Sequence, residues 1–285
     1  RHRNYTPPQE LIDHYGADSV RLYMLNSPLL RAEDLIFCDK GVKDITRKIL
    51  IPLWNAYSFL STYADADNWS PTEDSLTKWS VSEHPLDRWI VSQLHSLLEK
   101  VSKHMEEYKL YLVVPQVLNF IDDLTNWYIR LNRRRFWGDS DKESTVSNDQ
   151  EIAYGTLHYV LLEFSKLFAP FAPFVSDRLY QNLTEGLTGA KESAHLCDMP
   201  EAQARLIDTD LEQTMSLIKR AINQGRSLRQ KHKIKIRQIL PKMTVIVRKE
   251  KDKELLQQEE ALLKRELNLK ELFFTTDEAK YVRLS

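Results

Sequence analysis

Apolar residues recur three and four positions apart along most of this chain, the spacing that lines one face of an α-helix. Gly41 to Tyr63 holds that pattern through Val42, Ile45, Ile49, Leu53, Tyr57 and Leu60. Leu86 to Tyr108 holds it through Trp89, Ile90, Leu94, Leu97, Leu98 and Val101. Further helices are predicted from Pro115 to Trp137, from Glu151 to Phe168 and from Pro173 to Leu183, with proline at home in a first helical turn. Pro52, inside the first of these, predicts a kink or break at Ile51, because proline lacks an N–H and its ring meets the carbonyl four residues back.

Two shorter helices open the chain, Pro7 to His14 and Ala17 to Asn26, separated by Gly16. Ser27 to Asp39 reads as an irregular connection, and Asp65 to Pro85 as a polar linker whose Trp69 and Trp79 pin it to the helices. Gly138 to Gln150 and Thr184 to Pro200 read as loops. Thr209-x-x-Glu212 has the form of a capping box, starting a helix through Leu228. The period then changes. Ile234 to Ile239 alternates basic residues with isoleucine, Met243 to Arg248 is β-rich, Glu254 to Leu267 is helical, and Leu272 to Thr276 and Tyr281 to Leu284 are short extended pieces. The expected tail is a small ββαβ module. The fold class is therefore mainly α: an antiparallel helical bundle over 86–230, preceded by residues 1–63 and the linker 64–85, with a small C-terminal α/β module over 231–285.

Composition supports this. Only 7 of 285 residues are glycine and 28% are charged, a mix that favours helices. No apolar run approaches the roughly 20 residues of a membrane span, and the chain opens on Arg1 with no signal segment, as a fragment of a longer protein would. Cys38 and Cys197 stand too far apart in sequence to suggest a disulfide framework and fit a reducing cytoplasm. His195-x-Cys197 lacks a second pair to complete a metal site. His95 and His104 read as surface or boundary residues of their helix. No phosphate-cradling glycine loop, metalloprotease motif or nucleophile elbow occurs, so no catalytic residue and no metal ligand is assigned.

Net charge is −1, yet its distribution is polarised: Gln213 to Lys249 holds eleven Lys or Arg and no acid. Arg226, Arg229, Lys231, Lys233, Lys235 and Arg237 within it are candidates for contacts to a polyanion, the other reading being a solvated helix face and a lysine-decorated edge strand. A second basic stretch, Asn126 to Gly138, packs four arginines and four aromatic residues into thirteen positions with no acid. Arg130, Arg133, Arg134, Arg135 and Trp137 have the chemistry that unpaired RNA bases and phosphates require. The alternative is a buried amphipathic helix whose last-turn arginines complement the helix dipole. Trp127 and Tyr128 are assigned to the core.

Three strings carry a resemblance. Tyr15-Gly16-Ala17-Asp18-Ser19-Val20-Arg21-Leu22-Tyr23 resembles the segment after the signature loop of class Ia aminoacyl-tRNA synthetases, with Arg1 to Tyr5 just beyond that loop. Asn126 to Arg130 with Asn132 to Trp137 is similar to the anticodon-domain helix of the isoleucine enzymes. Leu167 to Phe174 resembles the Pro-hinged helix pair of that domain in the isoleucine, valine and leucine enzymes. The arginine-rich form and the lack of a C-terminal cysteine motif resemble the eukaryotic or archaeal branch. The resemblance implies an anticodon-binding bundle that positions tRNA(Ile), with residues 1–63 against the tRNA's inner corner. It also implies upstream catalytic and editing domains that use ATP and magnesium, cytoplasmic location, and possible protein partners in a synthetase complex. The same region of a valine enzyme, or a helical protein-interaction module docking an acidic partner, are the alternative readings.

Overall fold

The computed structural model describes residues 6–72, 77–137 and 146–277. Arg1 to Tyr5, Tyr281 to Leu284 and most of the loop expected from Gly138 lie outside the described residues. The chain divides into two units, Arg1–Ile207 and Asp208–Ser285.

The first unit is helical. Its opening helices are α1 (Pro8–Tyr15) and α2 (Ala17–Leu25). Gly16 between them has φ +80°, a left-handed conformation that suits glycine at a helix end. The predicted Gly41–Tyr63 helix is one helical path in three parts: α3 (Asp39–Ile45), a π-turn at Thr46–Leu50, and α4 (Ile51–Ala66). The Ile51 N–H bonds the Thr46 carbonyl five residues back. The wider turn thus meets Pro52 where a break was predicted, and the path continues as helix.

Helix α5 (Pro85–Glu106) is amphipathic as predicted, but it stops two residues short of Tyr108, which takes φ 57°. A 3-10 turn at Leu110–Leu112 leads into α6 (Val113–Asp122), with a second π-turn at Asp123–Ile129 and then α7 (Arg130–Trp137). Trp127, Tyr128 and Ile129, three consecutive residues of that widened turn, all enter the core. Helix α8 is Asn148–Phe168 and starts earlier than predicted. Ser147 and Gln150 form a capping box, each side chain meeting the other's backbone N–H. Helix α9 (Pro173–Thr184) follows the Ala169–Pro170 break.

The core lies between α5, the α6–α7 run and α8, filled by Trp89, Leu94, Tyr128, Phe136, Tyr154 and Phe164, all essentially without solvent exposure. Trp69 stacks on Tyr154 with centroids 5.2 Å apart, and Trp79 stacks on Tyr159 at 3.8 Å, so both linker tryptophans anchor to α8. His95 departs from the surface or boundary position expected of it. It is 1% exposed, its Nδ1 accepts from the Gln203 N–H at 3.1 Å, and its Nε2 meets the Tyr159 hydroxyl at 2.9 Å. The loop after α9 returns over that face of α5 and buries the ring. Burial, with Arg205 nearby, holds its pKa below the ordinary histidine value.

In the second unit, α10 (Thr209–Lys231) is capped by Asp208, whose carboxylate accepts the Leu211 N–H at 3.0 Å. Thr209, expected as the cap, is the first helical residue instead. The helix is grouped with β1 (Leu240–Ile246), α11 (Glu250–Gln258), α12 (Glu260–Leu267) and β2 (Leu269–Thr275). The unit therefore begins at Asp208, upstream of residue 231, where the tail module was expected to start. The two strands pair in parallel, Leu240 opposite Leu269 and Ile246 opposite Thr275. Ile234 to Ile239, read as a strand, is a chain of turns. Its backbone carbonyls are taken by two side chains. Arg229 donates to Lys235 and Gln238, and Asn268 donates to Ile236 and Arg237. Carbonyls engaged in that way are not offered to a sheet.

Candidate RNA-binding face

The stretch that joins arginines to aromatics divides into a buried root and an exposed tip. The root is Trp127, Tyr128, Asn132 and Phe136. Phe136 packs edge-on to Phe59 of α4 at 5.0 Å and to Tyr154 of α8 at 5.4 Å. Its carbonyl accepts from Gln150 Nε2 at 3.2 Å, so the start of α8 holds the end of α7.

Arg135 belongs to the root. Its guanidinium donates to both oxygens of Asp87 at 2.9 and 3.1 Å, and to both oxygens of Asp149 at 2.9 and 2.7 Å. The arginine side chain is 12% exposed and that of Asp87 only 1%. Tyr128 donates its hydroxyl to Asp87 at 3.0 Å, and Ser82 donates to the same carboxylate at 2.7 Å. Burial works against the arginine's charge, but the bonds to Asp149 and Asp87 outweigh it and hold the group above its ordinary pKa. The bond from Arg135 holds the Asp149 carboxyl below its ordinary value. The guanidinium thus joins the starts of α5 and α8 to α7, and the assignment of Arg135 to RNA contact gives way to this structural role. Asp87 and Asp149, which organise the network, were not singled out in the sequence, although each is an acid in the first turn of a predicted or observed helix.

The tip is Arg133, Arg134 and Trp137, all exposed. The Trp137 indole is 53% exposed and donates its N–H to the Tyr63 hydroxyl of α4 at 2.7 Å, which fixes its edge and leaves ring surface in solvent. Arg133 lies over that ring, 5.9 Å from its centroid. Arg134 has no ion-pair or hydrogen-bond partner among the described residues. Arg130 lies over Trp127 at 5.3 Å and donates Nε to the Asn126 carbonyl at 2.7 Å, so it is partly occupied within its own helix.

The other two resembling strings meet in space. Asp18 of α2 accepts the Phe174 and Val175 N–H groups at 3.3 and 2.7 Å, capping α9 from a distant part of the chain. Burial pushes its carboxyl up, against the pull of those two N–H groups. Arg21 donates to the Pro170 and Phe171 carbonyls at 3.0 and 3.4 Å. Asp18 and Arg21 clasp the Pro-hinged turn from both sides.

In the second unit the basic candidates separate likewise. Arg229 is 4% exposed, and its guanidinium donates to four backbone carbonyls, those of Lys235, Gln238, Leu267 and Asn268. It organises the turn segment and is not available to a phosphate, which corrects its assignment. Arg226 pairs with Glu266 at 2.8 Å. Lys231, Lys233, Lys235 and Arg237 are exposed. His195 and Cys197 bond backbone carbonyls, and among the described residues no group of three or more His, Cys, Asp or Glu could hold a metal ion.

The class defined by this fold and face is a mainly α-helical bundle with a basic, tryptophan-tipped helix end, followed by a small basic α/β unit. Residues 87–244 match the anticodon-binding domain of tRNA ligase, over half of the chain, and the chain belongs to that family. It is similar over its whole length to isoleucine–tRNA ligases: 41% identical over 284 residues to that of Protochlamydia amoebophila and 44% over 282 residues to that of Chlamydia muridarum. That of Bdellovibrio bacteriovorus is 38% identical over 283 residues. The chain spans 26% of the length of each of these relatives. These relatives are bacterial, whereas the sequence alone suggested a eukaryotic or archaeal-like affinity. A solved ternary complex, Agrobacterium radiobacter K84 agnB2 LeuRS-tRNA-LeuAMS, matches 73% of this chain and 23% of its own at a TM-score of 0.45 and 19% identity.

Proposed function

We propose that this chain is the anticodon-binding part of an isoleucine–tRNA ligase, that it binds the tRNA specific for isoleucine, and that Arg133, Arg134 and Trp137 touch the anticodon loop. The observation that carries this reading is the exposed tip of α7, held rigid by a buried root, in a chain alignable along its whole length with isoleucine–tRNA ligases. Trp137 offers a stacking surface, and the two arginines supply phosphate contacts. Lys231, Lys233, Lys235 and Arg237 add backbone contacts. ATP and magnesium would serve catalytic and editing domains in the rest of such an enzyme, working in the cytoplasm. Among the described residues no group of three or more His, Cys, Asp or Glu is fitted to hold magnesium. Among the described residues, no helix is long and apolar enough to cross a membrane.

The test is binding of an isoleucine tRNA transcript. Stacking is worth about 1–3 kcal/mol per base, so Trp137→Ala should weaken binding roughly 5- to 150-fold. Arg134→Ala should lower the salt slope by about 1. In the full-length ligase both should depress aminoacylation while leaving ATP-dependent activation of isoleucine unchanged. Unchanged affinity in both variants, or equal loss of activation and aminoacylation, would refute the reading.

A further inference from the structure

Both π-turns of the first unit border the same groove. Thr46–Leu50 supplies Arg47 and Lys48, and Asp123–Ile129 supplies Thr125 and Asn126. The groove has a volume of about 510 Å³, within the range of small-ligand sites. Pro52, Leu118 and Ile121 give it an apolar floor, and Asn55 and Asp122 complete a polar wall. Wide turns cost helix geometry and are frequent at functional sites. Here two of them, on separate helices, open towards one space.

We infer that this groove takes a single unpaired nucleotide of the bound RNA. The inference rests on the function proposed above. The apolar floor suits the face of a base, and amide side chains suit its hydrogen-bonding edge. Asn126 spends one N–H on Asp122 at 2.7 Å, which orients the amide and leaves further donor and acceptor capacity. Asn55, on α4, also lines the groove and is exposed. Lys48 is exposed at the rim, and Arg47 is 71% exposed with only a long 3.9 Å pairing to Asp44, so two cations are placed for the nucleotide's phosphate. Asn126 also begins the run that ends at Trp137, about 16 Å further along the helix at 1.5 Å per residue. One RNA can therefore reach both places.

The experiment compares binding of the isoleucine tRNA transcript with binding of a fully paired RNA duplex of equal length. The Asn55→Leu, Asn126→Leu double variant should lose about tenfold in affinity for the tRNA and less than twofold for the duplex. Dimethyl sulfate probing should show one unpaired base protected by the unaltered chain and reactive again with the variant. Lys48→Ala, a surface change, should lower the salt slope for tRNA by about 1 and keeps the inference testable should the double variant not fold. Equal losses on tRNA and duplex, no base regaining reactivity, or an unaltered salt slope with Lys48→Ala would overturn it. If Trp137→Ala lost affinity and the groove variants did not, only the groove would fall. If the unaltered chain bound no tRNA, the proposed function would fall with it.

Discussion

Removing Arg135 tests the division of the arginine string most directly. In Arg135→Ala, Asp87, 1% exposed in the intact pair, keeps only the Tyr128 and Ser82 hydroxyls as neutral donors, and Asp149 turns to solvent. Removing one partner of a buried pair typically costs 3–5 kcal/mol, because the other charge stays buried without compensation. The two remaining hydroxyls and the residual 12% exposure of the arginine place this case at the lower end, about 3 kcal/mol. For a unit of this size that lowers the midpoint of thermal unfolding by about 6–12 °C. Tryptophan fluorescence is the suitable probe, since all 6 tryptophans lie at or before residue 137 and report the first unit alone. Urea titration should show a lower midpoint with an unchanged slope. At a temperature where the variant stays folded, its affinity for the isoleucine tRNA should fall less than threefold. A stability loss under about 1 kcal/mol together with a tenfold loss of affinity would refute the argument and return Arg135 to the RNA surface.

Three further outcomes follow from the same contacts. Replacing Lys231, Lys233 and Lys235 together with Ala should lower the salt slope of tRNA binding by about 2, at roughly 0.7–0.9 per phosphate, and an unaltered slope would remove that segment from the RNA surface. His158 is 2% exposed, and burial holds its pKa below the ordinary 6.5, opposed only by the bond at 2.8 Å to the Leu183 carbonyl. Its neutral form is the one the fold accepts, so its contribution is present above pH 6.5 and lost as pH falls below it; the first unit should weaken between pH 7 and 5, and His158→Gln should flatten that dependence in urea titrations. Arg229→Ala leaves four carbonyls without their donor and should unfold or loosen the second unit by at least about 3 kcal/mol, read as lost amide-exchange protection in β1 and β2; full rescue by Arg229→Lys would contradict the fork geometry assigned to the guanidinium.

The predominance of helix, the order of the long helices and the split of Asn126–Trp137 into a core-facing start and an exposed end are determined by the sequence itself. Spacing of apolar residues is local information, and a burial stripe at three and four residues has one consistent solution. The placing of Trp127 and Tyr128 in the core followed from this, and so did the linker tryptophans, which had nowhere else to bury large rings. The likeness of three ordered strings to one family was also legible.

Tertiary structure decided which basic residues are free. Arg133, Arg134 and Arg135 are neighbours of identical chemistry, and only Asp87 and Asp149, 48 and 14 residues away, select the third for the core. Arg229 and Lys231 differ in the same way, because the carbonyls that hold Arg229 come from turns and strands that follow it. Alternation at Ile234 to Ile239 has the period of a strand, yet the segment is a chain of turns, because its carbonyls are engaged by Arg229 and Asn268. The π-turns left no mark in the pattern, since a consecutive apolar run such as Trp89 to Val91 is ordinary α-helix, and the groove between them exists only because separate helices pack side by side. Periodicity specifies which face is buried; partners distant in sequence specify which charges remain for a ligand.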